Sequence, residues 1–374
     1  MDILFVGPYK QTDEWGRKSR ALLDALKRTG NRITSRPIYF VSQGWTYSEE
    51  AEFSTSESYD AVIQFTLPVF AVYDGRCKKN IGFFNTDTID TAPFSTAISR
   101  MKLLDEVWVE NKDIYQNLQN KVGDTRVSLI KPYMDTSLER EVYTGRYPQG
   151  IITKDNGPLK NRFIFYAIGS LEEREGAKEL LCAYLSEFSA SDNCALVYIL
   201  ENPLDPARVN QFVETCHLST GATKAREQKP FMHFMNPDSS LPIEARLVIH
   251  REGDCFISPD YSLNCNALTL EAVAAQSTPI VNKNTTAYEL LGERNSWGIE
   301  SYKDSCILSH RSFDDMFTAH EICVKPTIRS LRHNMREAYT DKFLREKKRS
   351  NNIEARQAIQ GNTHYDSLKE LLCS

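Results

Sequence analysis

The sequence predicts an α/β protein with two parallel sheets, on three observations. Short apolar runs alternate with helical patterns, which is the signature of βαβ units. The alternation restarts after a polar linker between Gly150 and Asn161. With 374 residues and 41% hydrophobic content, the chain can build two packed cores, since a domain takes roughly 100–200 residues. We therefore expect a first domain at 1–150, a second at 161–345 and a helical extension at 346–374.

Six short apolar runs are strand candidates for the first sheet. In chain order they are ILFVG from Ile3, RPIYF from Arg36, YDAVIQF from Tyr59, NIGFF from Asn80, EVWVE from Glu106 and VSLIKP from Val127. A helical pattern follows the first strand, with Leu22, Ala25 and Leu26 on one face, and it ends at Gly30. These elements predict a sheet built from βαβ units.

Five further strand candidates, each followed by a helical pattern, predict the second sheet. They are RFIFYAIG from Arg162, ALVYILE from Ala195, PFMHFM from Pro230, CFISP from Cys255 and TPIV from Thr278. Near the C-terminus, KPTIRSLRHNMREAYT and HYDSLKELL have helical patterns. The basic run KFLREKKRS between them is interpreted as a solvated helix face rather than a binding patch.

Composition argues against several classes of protein. A net charge of -5 and a pI near 5.9 disfavour a nucleic-acid partner, and no apolar stretch reaches the roughly 18 residues of a membrane span. The start, MDILFVGP, is typical of a buried strand rather than a signal peptide, so we expect a cytoplasmic protein. Nine cysteines without a C-x-x-C pair favour reduced, buried thiols and no metal site.

Gly16 is predicted to lie at the N-terminus of the helix that follows the first strand. A glycine there lets the backbone approach a ligand, and the free amides at a helix start favour an anion. The loop lacks the G-x-G-x-x-G pattern, so the dinucleotide fingerprint is absent. A glycine before a helix also serves simply as a tight turn, and the sequence leaves both roles open.

The stretch SLNCNALTLEAVAAQSTPIV holds a single glutamate, Glu271. EAVAAQ consists of strong helix formers and TPIV is typical of a buried strand, so Glu271 is predicted on the first turn of a helix between two parallel strands. Ligands of doubly wound folds bind at that edge of the sheet. The alternative is that Glu271 is only a helix-start acid favoured by the dipole.

Three segments, which cover most of the chain in order, carry a family resemblance. They are EVWVENKDIYQNLQNKVGDTRVSLIKPYMD, FYAIGSLEEREGAKELLCAYLSEF and DCFISPDYSLNCNALTLEAVAAQSTPIV. They resemble retaining glycosyltransferases of the GT-B fold, in the large family 4-like group that uses nucleotide sugars. The resemblance implies two Rossmann-like domains facing a central cleft, with C-terminal helices packing back toward the first domain. It also implies a nucleotide-sugar donor held mainly by the second domain, an acceptor at the first, and no further cofactor.

The resemblance assigns donor-binding roles around Glu271, which matches the family's ribose-binding glutamate. The family's preceding glutamate falls on Leu263, which cannot accept a hydrogen bond from a sugar hydroxyl. Asn264 and Asn266 follow it and offer polar contacts. The amides implied to meet an anion at the helix start are those of Ala267, Leu268 and Thr269.

The resemblance also locates the binding site of the donor diphosphate. The family commonly has an arginine and a lysine there, and this chain has Ser170 and Glu175. Arg174 and Lys178 are the nearest cations, and we expect Arg174 to carry much of the charge compensation. Both are also explained as solvated helix residues, and for Lys178 this is the better interpretation.

The acceptor side is predicted from the first domain. All seven histidines lie from His217 onward, so that domain offers no histidine as a general base, which favours a retaining reaction by front-side attack. Acids and aromatic residues in its loops are the candidates for proton transfer and sugar stacking, although loop acids are common and loop aromatics often serve as anchors. They are Asp13, Glu14, Asp87 and Asp90, with Trp15, Trp45 and Tyr47.

The sequence therefore predicts a glycosyltransferase that moves a hexose from a nucleotide-diphosphate sugar to a hydroxyl of a glycan or lipid-linked acceptor. Two alternatives stay open. One is a catalytically weakened, glycosyltransferase-like binding or scaffold protein, which the residues at Leu263, Ser170 and Glu175 permit. The other is a dinucleotide-dependent oxidoreductase, which the missing glycine fingerprint disfavours.

Overall fold

The computed structural model describes residues 1–41, 44–47, 58–84, 88–90, 96–134, 157–220, 228–237, 241, 243–305, 321–360 and 362–373. Within them the chain forms two large sheets and one small one. Each large sheet is parallel in its interior, as the alternation of apolar runs and helical patterns predicts.

The first sheet has seven strands in the order β3-β2-β1-β4-β5-β7-β8. They are β1 (Asp2–Gly7), β2 (Arg32–Val41), β3 (Gly44–Tyr47), β4 (Tyr59–Phe65), β5 (Cys77–Phe83), β7 (Glu106–Val109) and β8 (Arg126–Leu129), and β6 (Ile89–Asp90) lies elsewhere. All pairs are parallel except β2 with β3. The helices of this half are α1 (Glu14–Arg28), α2 (Thr96–Met101) and α3 (Lys112–Gln119).

The second sheet has six parallel strands in the order β11-β10-β9-β12-β13-β14. They are β9 (Phe163–Gly169), β10 (Cys194–Leu200), β11 (Phe231–Met235), β12 (Cys255–Ser258), β13 (Thr278–Asn282) and β14 (Trp297–Ile299). The helices are α4 (Ala177–Glu187), α5 (Pro206–Ser219), α6 (Ile243–Glu252), α7 (Ala267–Ala274) and α8 (Thr286–Asn295).

Helices cover both faces of the second sheet. Successive residues of a strand point to opposite faces, so Phe165 of β9 packs with Leu181 of α4 in one core. Its neighbour Tyr166 packs with Ile249 of α6 in the other. A sheet buried on both faces explains why the sequence of β9 is a continuous apolar run.

The chain then returns to the first domain. The last helices are α9 (Ile328–Thr340), α10 (Lys342–Gln360) and α11 (Asn362–Cys373). Helix α9 packs against α4, α10 against α7 and α8, and α11 against α1. Tyr365, Leu368 and Leu372 of α11 are buried in the same core as Leu22 of α1. The predicted packing of C-terminal helices toward the first domain is confirmed.

A small antiparallel sheet connects the two halves of the chain. It contains β15 (Ser301–Ser305) and β16 (Glu321–Pro326), and β6 pairs with β16 at Asp90 and Glu321. Because β6 belongs to the first half and β16 to the second, backbone hydrogen bonds join the domains here. The sequence analysis did not predict this sheet.

Candidate functional site

The carboxyl ends of the two large sheets face each other across a cleft. Asn111, two residues after β7, donates from its side-chain amide to the carbonyl oxygen of Leu263 at 2.9 Å. Nη1 of Arg17, on α1, lies 2.8 Å from a carboxylate oxygen of Glu201, directly after β10. Loops that follow strands of one domain therefore touch loops that follow strands of the other. Open α/β sheets bind ligands in this position.

Glu271 is buried in this cleft at the centre of a charged network. Its two carboxylate oxygens accept hydrogen bonds from Nε and Nη2 of Arg246, at 2.9 and 3.2 Å. Nε of Arg17 and Nε2 of His250 lie 3.8 and 3.7 Å from the same carboxylate. Burial acts to raise the pKa of Glu271, but Arg246, His250 and Arg17 together hold it well below its usual range. Glu271 is therefore ionised.

His250 is a neutral partner in this network. Burial lowers the pKa of its imidazole, and its Nδ1 lies 3.0 Å from the hydroxyl of Tyr166. A neutral ring with Nδ1 accepting from that hydroxyl carries its proton on Nε2, which faces Glu271. Tyr166 and His250 together hold the Glu271 side of the network in place.

The position of Glu271 on its helix differs from the prediction. Asn266 is the N-cap of α7, and its side-chain oxygen accepts the amide of Leu268 at 2.9 Å. The helix therefore begins at Ala267, and Glu271 lies in its second turn rather than its first. The prediction was wrong because it began the helix at the run of strong helix formers and overlooked the capping asparagine. The interaction of a charge with the helix dipole falls off within the first turn, so the dipole does not explain why a glutamate occupies position 271.

The predicted anion-binding amides lie at the start of α7. The amide of Leu268 is bonded to the Asn266 side chain, and the amide of Thr269 donates to the Asn266 carbonyl oxygen at 3.0 Å. Ala267 lines two small cavities of the cleft, and Asn264 is buried just upstream. The structure brings these residues together beside Glu271. Their role in donor binding stays a prediction.

The two cavities lie between α1 and α7, and each has room for about one water molecule. Residues from both domains line them, including Arg17, Lys18, Glu110, Tyr133, Ala267 and Glu271. A nucleotide is far larger than either cavity. A nucleotide that binds between these helices therefore requires the two domains to separate.

Arg17 is the first-domain residue that enters the charged network. Its side chain is 3% exposed, and its Nη1 donates to the carbonyl oxygen of Thr12 at 3.2 Å besides contacting Glu201. Its Nε and Nη2 are buried and have no hydrogen-bond partner among the residues that the structure describes. Burial opposes the charge of the guanidinium, but the carboxylates of Glu201 and Glu271 raise its pKa above its usual value.

A carboxylate covers the carboxyl end of β9, at the predicted diphosphate site. Oε2 of Glu175 lies 3.2 Å from where a Cβ on Gly169 would stand, and its Oε1 lies 3.9 Å from Nε of Arg174. Burial raises the pKa of Glu175 to about 8. The carbonyl oxygen of Ser170 accepts a hydrogen bond from the hydroxyl of Tyr198 at 2.7 Å. Arg174 is thus in reach of the site but already faces a carboxylate.

Leu263 packs between the two domains. It is fully buried in an apolar cluster with Phe84 and Met101 of the first domain and Val324 of the second. The position at which the resemblance places a sugar-binding glutamate is therefore used for domain packing. Lys178, the other cation predicted near the diphosphate, is exposed on α4.

The first loop has its own structural requirements. The amide of Gly16 donates to the Asp13 side chain at 2.9 Å, which makes Asp13 the N-cap of α1. A Cβ at Gly16 would lie 1.9 Å from the carbonyl oxygen of Gln11, so this packing requires glycine. The ring of Trp15 contacts Phe40 edge-on, with centroids 5.1 Å apart. These contacts account for Gly16 and Trp15 without a ligand, and their ligand-binding roles stay predictions.

The other acceptor-side candidates are less fully described. Asp87 lies outside the described residues. Asp90, Trp45 and Tyr47 lie on β6 and β3, of which only the backbone is described. Glu14 is the first residue of α1 and is partly exposed. The structure does not test their predicted roles.

The described part of the chain contains neither a cluster of metal ligands nor a membrane-spanning helix. No group of three or more His, Cys, Asp or Glu side chains there could hold a metal ion. Among the same residues, no helix has both the length and the apolar composition needed to cross a bilayer.

Comparison with known proteins gives matches in fold but not in sequence. No protein-family model matches the chain, and no curated protein matches it. The trehalose-6-phosphate synthase of E. coli, solved with UDP-2-fluoro glucose, matches with a TM-score of 0.65 and 12% identity over 100% of this chain and 98% of its own. The enzyme of Burkholderia multivorans matches with a TM-score of 0.59 and 11% identity, over 98% of this chain and 97% of its own. TarM of S. aureus, in complex with UDP, matches with a TM-score of 0.50 and 10% identity, over 83% of this chain and 54% of its own.

The chain has the GT-B fold. Two Rossmann-like domains with their carboxyl edges across a cleft are what the sequence predicts, and this prediction is confirmed. Within this GT-B frame, Arg17, Glu201, Arg246 and His250 complete the network around Glu271. Sequence reasoning missed all four because none belongs to a local motif.

Proposed function

We propose that the protein is a glycosyltransferase that moves a hexose from a nucleotide-diphosphate sugar to a hydroxyl of a glycan or lipid-linked acceptor, with retention of anomeric configuration. The observation that supports the proposal best is the full-length GT-B fold with its cleft at the carboxyl edges of both sheets. The matched structures include synthases described as UDP-forming and one bound to UDP-2-fluoro glucose. UDP-glucose is therefore the first donor to test.

In the proposed reaction the acceptor hydroxyl oxygen attacks the anomeric carbon from the face that the leaving group occupies. The bond between that carbon and the donor phosphate oxygen breaks, and the hydroxyl proton passes to the departing phosphate. The products are the glycoside and a nucleoside diphosphate. The protein's task is to orient the two substrates and to compensate the charge that develops on the diphosphate. We propose that no divalent ion is needed, so EDTA should leave turnover unchanged.

A binding or scaffold protein with this fold is the second candidate. Two observations favour it, namely Glu175 at the end of β9 and the use of Leu263 for domain packing. A protein of this kind would bind a nucleotide or a glycan without breaking the bond between sugar and phosphate. Binding and turnover must therefore be measured separately.

Two measurements on the full chain test the proposal. A thermal-shift screen of nucleotide sugars, nucleoside diphosphates and dinucleotides should show stabilisation by nucleotide sugars, because a ligand that binds only the native state raises its stability. Release of the nucleoside diphosphate from the nucleotide sugar that stabilises the protein should then be detected. This release should be faster when a mixture of glycan and lipid-linked acceptors is added. Stabilisation without release under any acceptor would favour the binding protein. Stabilisation by a dinucleotide and by no nucleotide sugar would favour an oxidoreductase and contradict both candidates.

Loss of Arg174 should distinguish an enzyme from a binding protein. If Arg174 compensates charge on the leaving diphosphate, Arg174→Ala should lower turnover by about 10²-fold, as loss of a preorganised charge does. Fold stability should change little, because the side chain is 42% exposed. Lys178→Ala, on the neighbouring helix, is the matched control. Equal turnover in the two variants would remove Arg174 from the proposed site.

A further inference from the structure

Arg17 has unused hydrogen-bonding capacity aimed into the cleft. Its guanidinium carries five N–H donors, and Nε and Nη2 have no hydrogen-bond partner among the described residues. A buried charged group with unmet donors is costly, and native proteins rarely keep one without a reason. The side chain also lines one of the two cavities between α1 and α7. These donors are therefore available to a water molecule or to a ligand group that enters the cleft.

The carboxylates near Arg17 differ in how firmly they are held. Glu271 is 3% exposed and bonded through both oxygens to Arg246. Glu201 is 24% exposed and lies 2.8 Å from Nη1 of Arg17. Moving Glu201 into water therefore costs much less than moving Glu271. Glu201 is the carboxylate that an incoming anion can displace from Arg17.

Arg17 also lies close to the region that lacks its expected cations. Glu201 directly follows β10, and its amide donates to the carbonyl oxygen of Gly169, the last residue of β9, at 3.1 Å. Glu175 covers Gly169, where the resemblance predicts a cation for the donor diphosphate. Arg17 thus brings a positive charge from the first domain to the edge of the second sheet where Ser170 and Glu175 provide none.

We propose that Arg17 binds the diphosphate of the donor and that Glu201 occupies Arg17 when no donor is bound. On binding, phosphate oxygens replace the Glu201 carboxylate at Nη1 and accept hydrogen bonds from Nη2, and Glu201 turns toward solvent. A guanidinium suits this exchange because it binds carboxylate and phosphate with the same fork geometry. The proposal rests on the proposed function, since it assigns a residue to its donor.

The exchange makes opposite predictions for the two partners. Arg17→Gln should weaken binding of the nucleoside diphosphate by about 10–100-fold, the effect of losing a charged hydrogen-bond partner. Glu201→Gln should strengthen it by about 2–5-fold, because a competing, partly exposed ion pair is removed. If Arg17 and Glu201 only stabilised the fold, both substitutions would weaken binding of the nucleoside diphosphate.

The experiment measures binding to the full chain by titration calorimetry. UDP, GDP and ADP are compared first, and the one that binds most tightly is the probe, with its nucleoside as the phosphate-free control. Arg17→Gln and Glu201→Gln should change affinity for the diphosphate and leave affinity for the nucleoside unaltered. Arg28→Gln, at the far end of α1, and Glu214→Gln, at an exposed position of α5, are the matched controls. If Arg17→Gln does not fold, Arg17→Lys and Glu201→Gln carry the test.

The outcomes separate this inference from the proposed function. A diphosphate that binds the wild type and both variants with equal affinity overturns the inference and leaves the proposed function standing. The inference is also overturned if Arg174→Ala weakens binding and Arg17→Gln does not. If no diphosphate binds the wild type or Glu201→Gln, the proposed function itself fails.

Discussion

At the residue scale, the buried ion pairs of Glu271 in the cleft stabilise the fold. Its carboxylate is buried against Arg246, Arg17 and His250, and removing one partner of a buried ion pair leaves an uncompensated charge. Glu271→Gln should therefore lower the free energy of unfolding by about 3–5 kcal/mol, measured by urea denaturation at pH 7. Glu354→Gln is the control, because that side chain is 76% exposed beside Arg294.

The same variant tests the predicted contact with the donor ribose. A hydrogen bond to an ionised group contributes about 1.5–3 kcal/mol, so a ribose-binding Glu271 should lose nucleotide affinity by that amount when substituted. The structure favours the stability effect, since both oxygens are already bonded to Arg246. A folded Glu271→Gln protein with wild-type stability and weakened nucleotide binding would contradict this interpretation.

Glu175 should make stability depend on pH. Its folded pKa of about 8 lies above the ordinary value of 4.5, so the folded state retains a proton that the unfolded state has lost. The associated stabilisation is complete below about pH 4.5 and is lost as pH rises through about 8. Glu175→Gln should match the wild type at pH 4.5 and exceed its free energy of unfolding at pH 9, by at least about 1 kcal/mol. Denaturation curves of both proteins at the two pH values measure this difference in the free energy of unfolding. A difference of equal size at both pH values would exclude Glu175 as its cause.

The residues of the site show how far sequence reasoning reaches. Glu271 was located because it is a lone acid in an apolar stretch next to a predicted strand. Arg246 and Arg17 were not, because their roles depend on contacts 25 or more residues away in the chain. Long-range ion pairs leave no local pattern, so only the folded structure reveals them.

At the element scale, helix α11 completes the first domain. Its Leu368 is 1% exposed, and its Tyr365 stacks on Tyr133 with ring centroids 5.9 Å apart. Leu368→Ala should lower the free energy of unfolding by about 2–5 kcal/mol, because it removes buried apolar atoms and leaves a cavity. Lys369→Ala, on the exposed face of the same helix, is the control. Equal stability of the two variants would mean that α11 is not part of the folded core.

The elements also divide by how well the sequence predicts them. Strands such as β9 and β10 are buried on both faces and appear as continuous apolar runs. Strand β15 is largely exposed and polar, and β6 has two residues. Neither carries a periodic pattern, because pairing between distant segments creates these strands. The small sheet that joins the domains was therefore missed.

At the scale of the whole molecule, several contacts hold the cleft closed. Strand β6 pairs with β16, Asn111 bonds to Leu263, and Nζ of Lys303 lies 2.7 Å from the carboxylate of Asp113. The two cavities left between α1 and α7 each admit about one water molecule. A nucleotide that binds between these two helices therefore requires the domains to separate, and preventing that motion should prevent such binding.

A crosslink between the domains tests whether opening is required. Asp113 of α3 and Lys303 of β15 are both partly exposed, so cysteines in their places can be joined by a short thiol crosslinker. The background replaces Cys373, which is exposed, and Cys306, which lies outside the described residues, while the other cysteines are buried.

The crosslinked protein should bind the nucleoside diphosphate at least about 10-fold more weakly than the same variant before treatment, since the bound conformation is no longer populated. Each single-cysteine variant, treated identically, should bind as before. Full binding by the crosslinked protein would mean that the nucleotide reaches its site with the cleft closed, and the donor would then have to bind outside the space between α1 and α7.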